Sequence, residues 1–219
     1  MAAFNGCTNL TKIEIPNSVT SIEESAFRYC ENLTSITIPN GVISIENEIF
    51  SECISLNNIT ISDKVKSIGK GAFYNCISLK TITIPDSVKT ISEGAFMDCK
   101  SLIEIIIPDG VTSIENDTFR YCENLTTITI PDSVTSIGNL VFSYCSNLRS
   151  ITIPSSITNI GGKAFRKCNR LTMTFLGDAP KVDTSTFEDS APTIYRKPEA
   201  EGWGDTWAGR PVKLISEKP

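Results

Sequence analysis

The chain has 219 residues, 40% of them hydrophobic and 21% charged, enough apolar content for a sizeable core and too much for a disordered segment. Net charge is −5 and the 20 lysines and arginines are scattered, so no basic face offers itself to a phosphate backbone, and nucleic acid is not an expected partner. No apolar run approaches the roughly 20 residues of a membrane-spanning helix, and histidine is absent, which removes the commonest general base and the commonest zinc ligand.

The chain opens on Met1-Ala2-Ala3-Phe4-Asn5-Gly6-Cys7, a piece of the pattern that returns as Ala72-Phe73-Tyr74-Asn75-Cys76. Starting inside a unit predicts a fragment of a longer protein, with any secretion signal or anchor outside it. Cysteine then recurs at 7, 30, 53, 76, 99, 122, 145 and 168, a constant step of 23. Phenylalanine keeps the step from Phe4 to Phe165 and leucine from Leu10 to Leu171. Two isoleucine registers follow, from Ile13 to Ile151 and from Ile15 to Ile153. Such a fixed period is the mark of a solenoid, because a unit this short cannot bury its own apolar face without neighbours.

One unit shows the elements. In Leu79-Lys80-Thr81-Ile82-Thr83-Ile84, alternation of isoleucine with threonine predicts a short strand with one apolar face. Pro85 and Asp86 end it in a turn. Val88-Lys89-Thr90-Ile91 predicts a second extended piece, and Phe96 and Cys99, three apart, predict one turn of 3₁₀ or α-helix. Stacked in register about 4.8 Å apart, the units make a rod about 40 Å long with a continuous parallel sheet. The bulkier Phe turns on the opposite side curve it, with the sheet concave.

After Leu171 the pattern weakens. Thr174 stands where isoleucine is expected, and Met173 and Phe175 face inward instead if the strand slips by one residue; the alternation fits both registers. Phe187 and Ser190 echo the Phe and Cys positions one residue early, and Thr193-Ile194-Tyr195 reads as a last strand. Trp203 and Trp207 most simply cover the open end of the core, the alternative being an aromatic platform for carbohydrate. Residues 1–176 are therefore read as about eight repeats, the first truncated, and 177–219 as a degenerate repeat with an aromatic cap.

No Walker, dinucleotide-binding or EF-hand spacing is present, and carboxylates such as Asp86, Asp109 and Asp132 occupy turn positions, so no enzyme, cofactor or metal site is expected. The cysteines are the exception to weigh. Neighbours in a ladder fall within the Cα separation a disulfide tolerates, but their side chains point the same way, and sulfurs strung along a line do not converge on a tetrahedral metal. Placed between ladder phenylalanines and leucines, they read as buried free thiols. Asn-x-Thr sequons at Asn9, Asn32, Asn58, Asn116 and Asn124 are mostly by-products of the repeat.

The outward strand positions remain as the candidate contact surface. One column runs Glu14, Thr37, Thr60, Thr83, Ile106, Thr129, Thr152, and beside it run Lys12, Ser35, Asn58, Thr81, Glu104, Thr127, Ser150. Rows of hydroxyls suit a polar protein or glycan partner, although threonine also simply suits strands. Ile106, with Ile103 nearby, is the apolar spot that would anchor a ligand. Tyr29, Tyr121 and Tyr144 share a register on a flank, where packing explains them as well as binding does. Threonine pairs also raise ice or crystal-surface binding, but curvature and the interruptions Glu14, Glu104 and Ile106 spoil a flat lattice match.

The motif A-F-x-x-C-x-x-L-x-x-I-x-I-P-x-x-V-x-x-I, whole at Ala72 to Ile91 and nearly whole in six other units, resembles the leucine-rich repeats of the BspA type, the Treponema pallidum-type 23-residue class found on surface proteins of gut and oral bacteria and of some mucosal protozoa. Ser62 replaces the proline and Ile49, Thr118 and Val141 the alanine, mild departures. The resemblance implies a right-handed curved rod with its parallel sheet concave and with short strands and 3₁₀ or helical turns on the other sides. It also implies a non-enzymatic adhesion module of a secreted or cell-surface protein, acting as a monomer on a host or neighbouring-cell protein or glycan. A structural spacer that carries other domains is the alternative. Comparable G-W-x-x-x-W segments ending similar proteins favour the cap.

Overall fold

A computed structural model describes residues 2–218; Met1, where the sequence reading places the truncated start of the first unit, and Pro219 lie outside the described residues. Counting from one ladder leucine to the next, residues 10–32 form coil 1, 33–55 coil 2 and so on in steps of 23 to coil 7 at 148–170. The chain is a parallel β-solenoid with almost no helix.

Two columns of short strands make two of its sides. In the first, Ser35–Thr37 pairs in parallel with Asn58–Thr60, Glu104–Ile106 with Thr127–Thr129, and Ser150–Ile153 with Thr172–Phe175. In the second, Ser44–Ile45, Ser67–Ile68 and Thr90–Ile91 pair in one group. Ser113–Ile114, Ser136–Ile137, Asn159–Ile160 and Lys181–Val182 make another. The sequence reading of one continuous sheet is thus corrected: the first column is interrupted around residues 81–84, which have no strand partner, and again between Thr127–Thr129 and Ser150–Ile153.

The third side holds the Phe turns, and here the expected helical turn is not formed. Gly94 and Asp98 sit at φ of +62° and +60°, the left-handed region that breaks a right-handed helix. Amides along the turn consequently alternate in direction. Ala95, Met97 and Cys99 donate within the turn to Ser92, Gly94 and Phe96, at 3.0–3.2 Å. Gly94, Phe96 and Asp98 donate to Asn116, Thr118 and Arg120 of the next coil, at 2.8–3.0 Å. The turn therefore acts as a third inter-coil ladder while still reversing the chain.

Inside, the registers become stacks. Phe4, Phe27, Phe50, Phe73, Phe96, Phe119, Phe142, Phe165 and Phe187 follow one another with ring centroids 5.1–5.8 Å apart. The ladder leucines from Leu33 to Leu148 are fully buried beside them. Burying such side chains stabilises by about 1.5–3 kcal/mol each.

At the tail the register question is decided. Met173 pairs with Ile151 and Phe175 with Ile153, and both are buried, so the strand slips by one residue relative to the leucine spacing. The ladder continues through Thr193–Arg196 to Arg210–Leu214, whose outer edge is covered by antiparallel Thr206–Trp207. Trp207 lies edge-on to Phe187 at 5.7 Å and to Phe175 at 5.0 Å, and Trp203 lies against Phe175 at 4.9 Å. The indole N–H groups are satisfied by the carbonyls of Gly177 and Pro180, at 3.2 and 3.3 Å.

Candidate functional site: the outer strand face

Because strand side chains alternate, burying Ile36, Ile59, Ile105, Ile128 and Ile151 turns their neighbours to solvent. Lys12, Glu14, Thr37, Asn58, Thr60, Thr81, Thr83, Glu104, Ile106, Thr127, Thr129, Ser150 and Thr152 are all exposed, and Ser35 half-buried. Pairing brings them into columns: Lys12 faces Ser35 and Ser35 faces Asn58, while Thr37 faces Thr60. Glu104 faces Thr127 and Ile106 faces Thr129. Beyond Ser150 and Thr152 the columns run on into Thr172 and Thr174.

The face is not uniform. Lys12, Glu14, Ser35, Thr37, Asn58 and Thr60 line a polar cleft of about 420 Å³ at the coil 1 end. A second cleft of about 320 Å³ lies lower on the face between Thr81, Thr83, Glu104 and Ile106. At its lip Ile106 is 67% exposed, and Ile103 nearby is 44% exposed.

The thiols have a structural role. Each Sγ from Cys30 to Cys168 points at the carbonyl oxygen of the phenylalanine 26 residues earlier, at 3.0–3.2 Å, as in Cys99 to Phe73 and Cys122 to Phe96. That carbonyl already accepts an amide from its own coil, so the thiol takes its second lone pair and ties two coils together. Burial pushes the thiol pKa up to about 11 at Cys30, to about 12 at Cys53 and Cys168, and well above the ordinary value at Cys76, Cys122 and Cys145. These groups stay protonated and unreactive at neutral pH. Cys7 differs: it is exposed.

The Phe-turn flank carries an arrangement that pattern reading passed over. Arg28, Ser51, Tyr74, Met97 and Arg120 fall in one register and line a shallow groove of about 270 Å³. Arg28 is paired with Glu48 at 2.6 Å and Arg120 with Asp117 at 3.0 Å. The guanidinium of Arg120 stacks on Tyr121 at 4.8 Å, and Tyr121 lies 4.7 Å from Tyr144. Arginines and carboxylates here answer one another, which leaves a flank of stitched charges. Only the step of 23 applied to position 28 would have exposed the register, and its residue types are too varied to draw notice.

A family model for the BspA type leucine-rich repeat region matches six copies, over residues 1–84 and 66–193. The chain belongs to this family. Among solved structures, a leucine-rich repeat protein from Bacteroides ovatus ATCC 8483 is 26% identical with a TM-score of 0.67, covering 98% of this chain and 63% of its own length. The chain thus spans less than two thirds of that relative. The leucine-rich repeat protein of T. pallidum is 28% identical with a TM-score of 0.63, over 68% of this chain and 77% of its own. A leucine-rich cell surface protein from Faecalibacterium prausnitzii A2-165 is 28% identical with a TM-score of 0.59, over 84% and 66%. Comparison with curated proteins finds no significant match. Among the described residues, no helix is long and apolar enough to cross a membrane.

Proposed function

We propose that the chain is a non-enzymatic binding module of a secreted or cell-surface protein, acting as a monomer, and that it contacts a protein or glycan through its outer strand face. The observation that carries this is the face itself: columns rich in exposed hydroxyls, free of charge from Thr37 to Thr83, next to the exposed side chain of Ile106. Hydroxyl rows supply donors and acceptors at little desolvation cost, and an isolated apolar residue beside a cleft is the usual form of an anchor. The cell-surface description of the F. prausnitzii relative supports the location. Repeat solenoids commonly present extended binding surfaces, which supports the mode of contact.

The test is binding of the purified chain to a panel of matrix proteins, mucins and epithelial cells. Saturable binding to one of them, weakened about tenfold by Ile106→Lys, is expected. Absence of binding across the panel would favour the spacer reading, which the unbroken Phe stack also suits.

A further inference from the structure

Among the described residues, the junction of coils 1 and 2 keeps only the bridge of Lys12 to Ser35, and every later junction up to the coil that begins at Leu171 keeps strand pairing in at least one column except one. Between coils 4 and 5, Thr90–Ile91 has no partner in Ser113–Ile114, and residues 81–84 have none in Glu104–Ile106. Backbone bonds that flank the second column elsewhere are missing here too. Thr135 donates to Thr112 at 2.9 Å and Gly138 to Ile114 at 2.8 Å, but among the described residues the amides of Thr112 and Glu115 have no backbone partner. Clefts of about 320 and 300 Å³ open at this one junction, on the first and second columns respectively. On the first column a single backbone bond crosses the junction, Ile103 donating to Lys80 at 3.0 Å, and on the third side the same two coils stay joined, Phe96 donating to Thr118 at 3.0 Å and stacking on Phe119 at 5.7 Å.

One register of the sequence differs at this junction. Ser87, Ser133 and Ser156 share a register, and each hydroxyl donates to the carbonyl of Val65, Val111 or Val134 in the coil before, at 2.6–2.7 Å. At the open junction that register holds Gly110, which has no hydroxyl to reach Val88. Gly41, the other glycine in the register, also stands at a junction without second-column pairing. At Lys64 the column stays paired, held by the hydroxyls of Ser44 and Ser67 at 2.9 Å.

We propose that the junction between coils 4 and 5 is a hinge: the two strand sides, bridged only by the Ile103–Lys80 bond, open and close about the bonded Phe96–Phe119 side, changing the spacing between Thr83 and Ile106. The unpaired backbone groups there exchange between water and one another at little cost, whereas opening any other junction beyond coil 2 breaks formed ladders. The solenoid is then two stiff panels rather than one.

Pulsed electron paramagnetic resonance tests this on the full chain carrying Cys7→Ser, since the other native thiols are buried and resist labelling. Spin labels at Ser35→Cys and Thr127→Cys span four junctions including the open one, and labels at Glu104→Cys and Thr193→Cys span four without it. A broader distance distribution for the first pair is expected, and Gly110→Ser should narrow it to the width of the second. The serine can be accommodated by a shift of Lys89, whose flexible side chain supplies the three atoms nearest to where its Cβ would go. Amide exchange at Thr112 and Glu115 should slow at least tenfold in the same variant. Equal widths in the parent, or a Gly110→Ser variant with unchanged width and exchange, would overturn the hinge.

Discussion

Ser190 Oγ lies 2.7 Å from the carbonyl oxygen of Phe165, the bond that a cysteine thiol makes to a phenylalanine carbonyl in every earlier coil. The same oxygen accepts the amide of Cys168 at 2.7 Å, so the hydroxyl is used in both directions. Oxygen reaches less far than sulfur, which suits a coil one residue shorter. Ser190→Ala should cost about 0.5–1.5 kcal/mol by removing these hydrogen bonds, the Cys168 amide keeping the Phe165 carbonyl at 3.3 Å as its partner. Ser190→Cys should cost less, since it restores the earlier arrangement; urea midpoints of the two variants check the order.

Thiol burial predicts a specific pH dependence. In the unfolded chain the cysteines ionise near their ordinary value of about 8.5. In the native state burial holds Cys30 protonated to about 11 and Cys53 and Cys168 to about 12. The folded pKa values are raised, so this contribution is complete below the unfolded value and is lost as pH rises from there through the folded values. Each fully buried thiol should remove about 1.4 kcal/mol per pH unit within that window. Melting temperature should hold from pH 7 to 8 and fall steeply from 9 to 11, and a flat profile would contradict the burial.

Leu140 sits at φ +59° in the register that elsewhere holds Gly71 and Gly94. A left-handed conformation costs a non-glycine residue about 1–2 kcal/mol, and glycine gives part of that back in unfolded-state entropy. Leu140→Gly should therefore stabilise the chain by about 0.5–1 kcal/mol, measurable as a raised melting temperature.

Trp207 covers the last ring of the Phe stack. Trp207→Ala should cost about 3–5 kcal/mol by opening a cavity over Phe187 and Phe175. The loss should be local, with amide protection falling in residues 172–196 before the central coils, because each coil contacts only its neighbours.

What sequence alone revealed follows from which signals repeat. Phe, Cys, Leu and Ile hold their positions because each fills the same slot in a stack, so the period, the core and the outward columns at Thr37, Thr60 and Thr129 were all legible. The Phe turn was misread as helical because its left-handed positions carry Ser25, Glu48, Asp117 and Leu140 as well as glycines. The register at Met173 stayed open because apolar residues flank it in both settings, until pairing with Ile151 decided it. The gap at coils 4 and 5 was hidden because no repeating position marks it, and Gly110 stands out only beside Ser87 and Ser133.

The strand face is the centre of the functional account, and one paired measurement tests it most directly. Ile106→Lys places a charge at the exposed lip of the face, and Ile77→Lys makes the same change at an exposed isoleucine in the turn after Cys76, off the face. With whichever matrix protein, mucin or cell surface binds the parent chain, titration of both variants is predicted to show affinity reduced tenfold or more for Ile106→Lys and unchanged for Ile77→Lys. Equal affinities for the two, or a loss confined to Ile77→Lys, would contradict the assignment of the strand face as the contact surface.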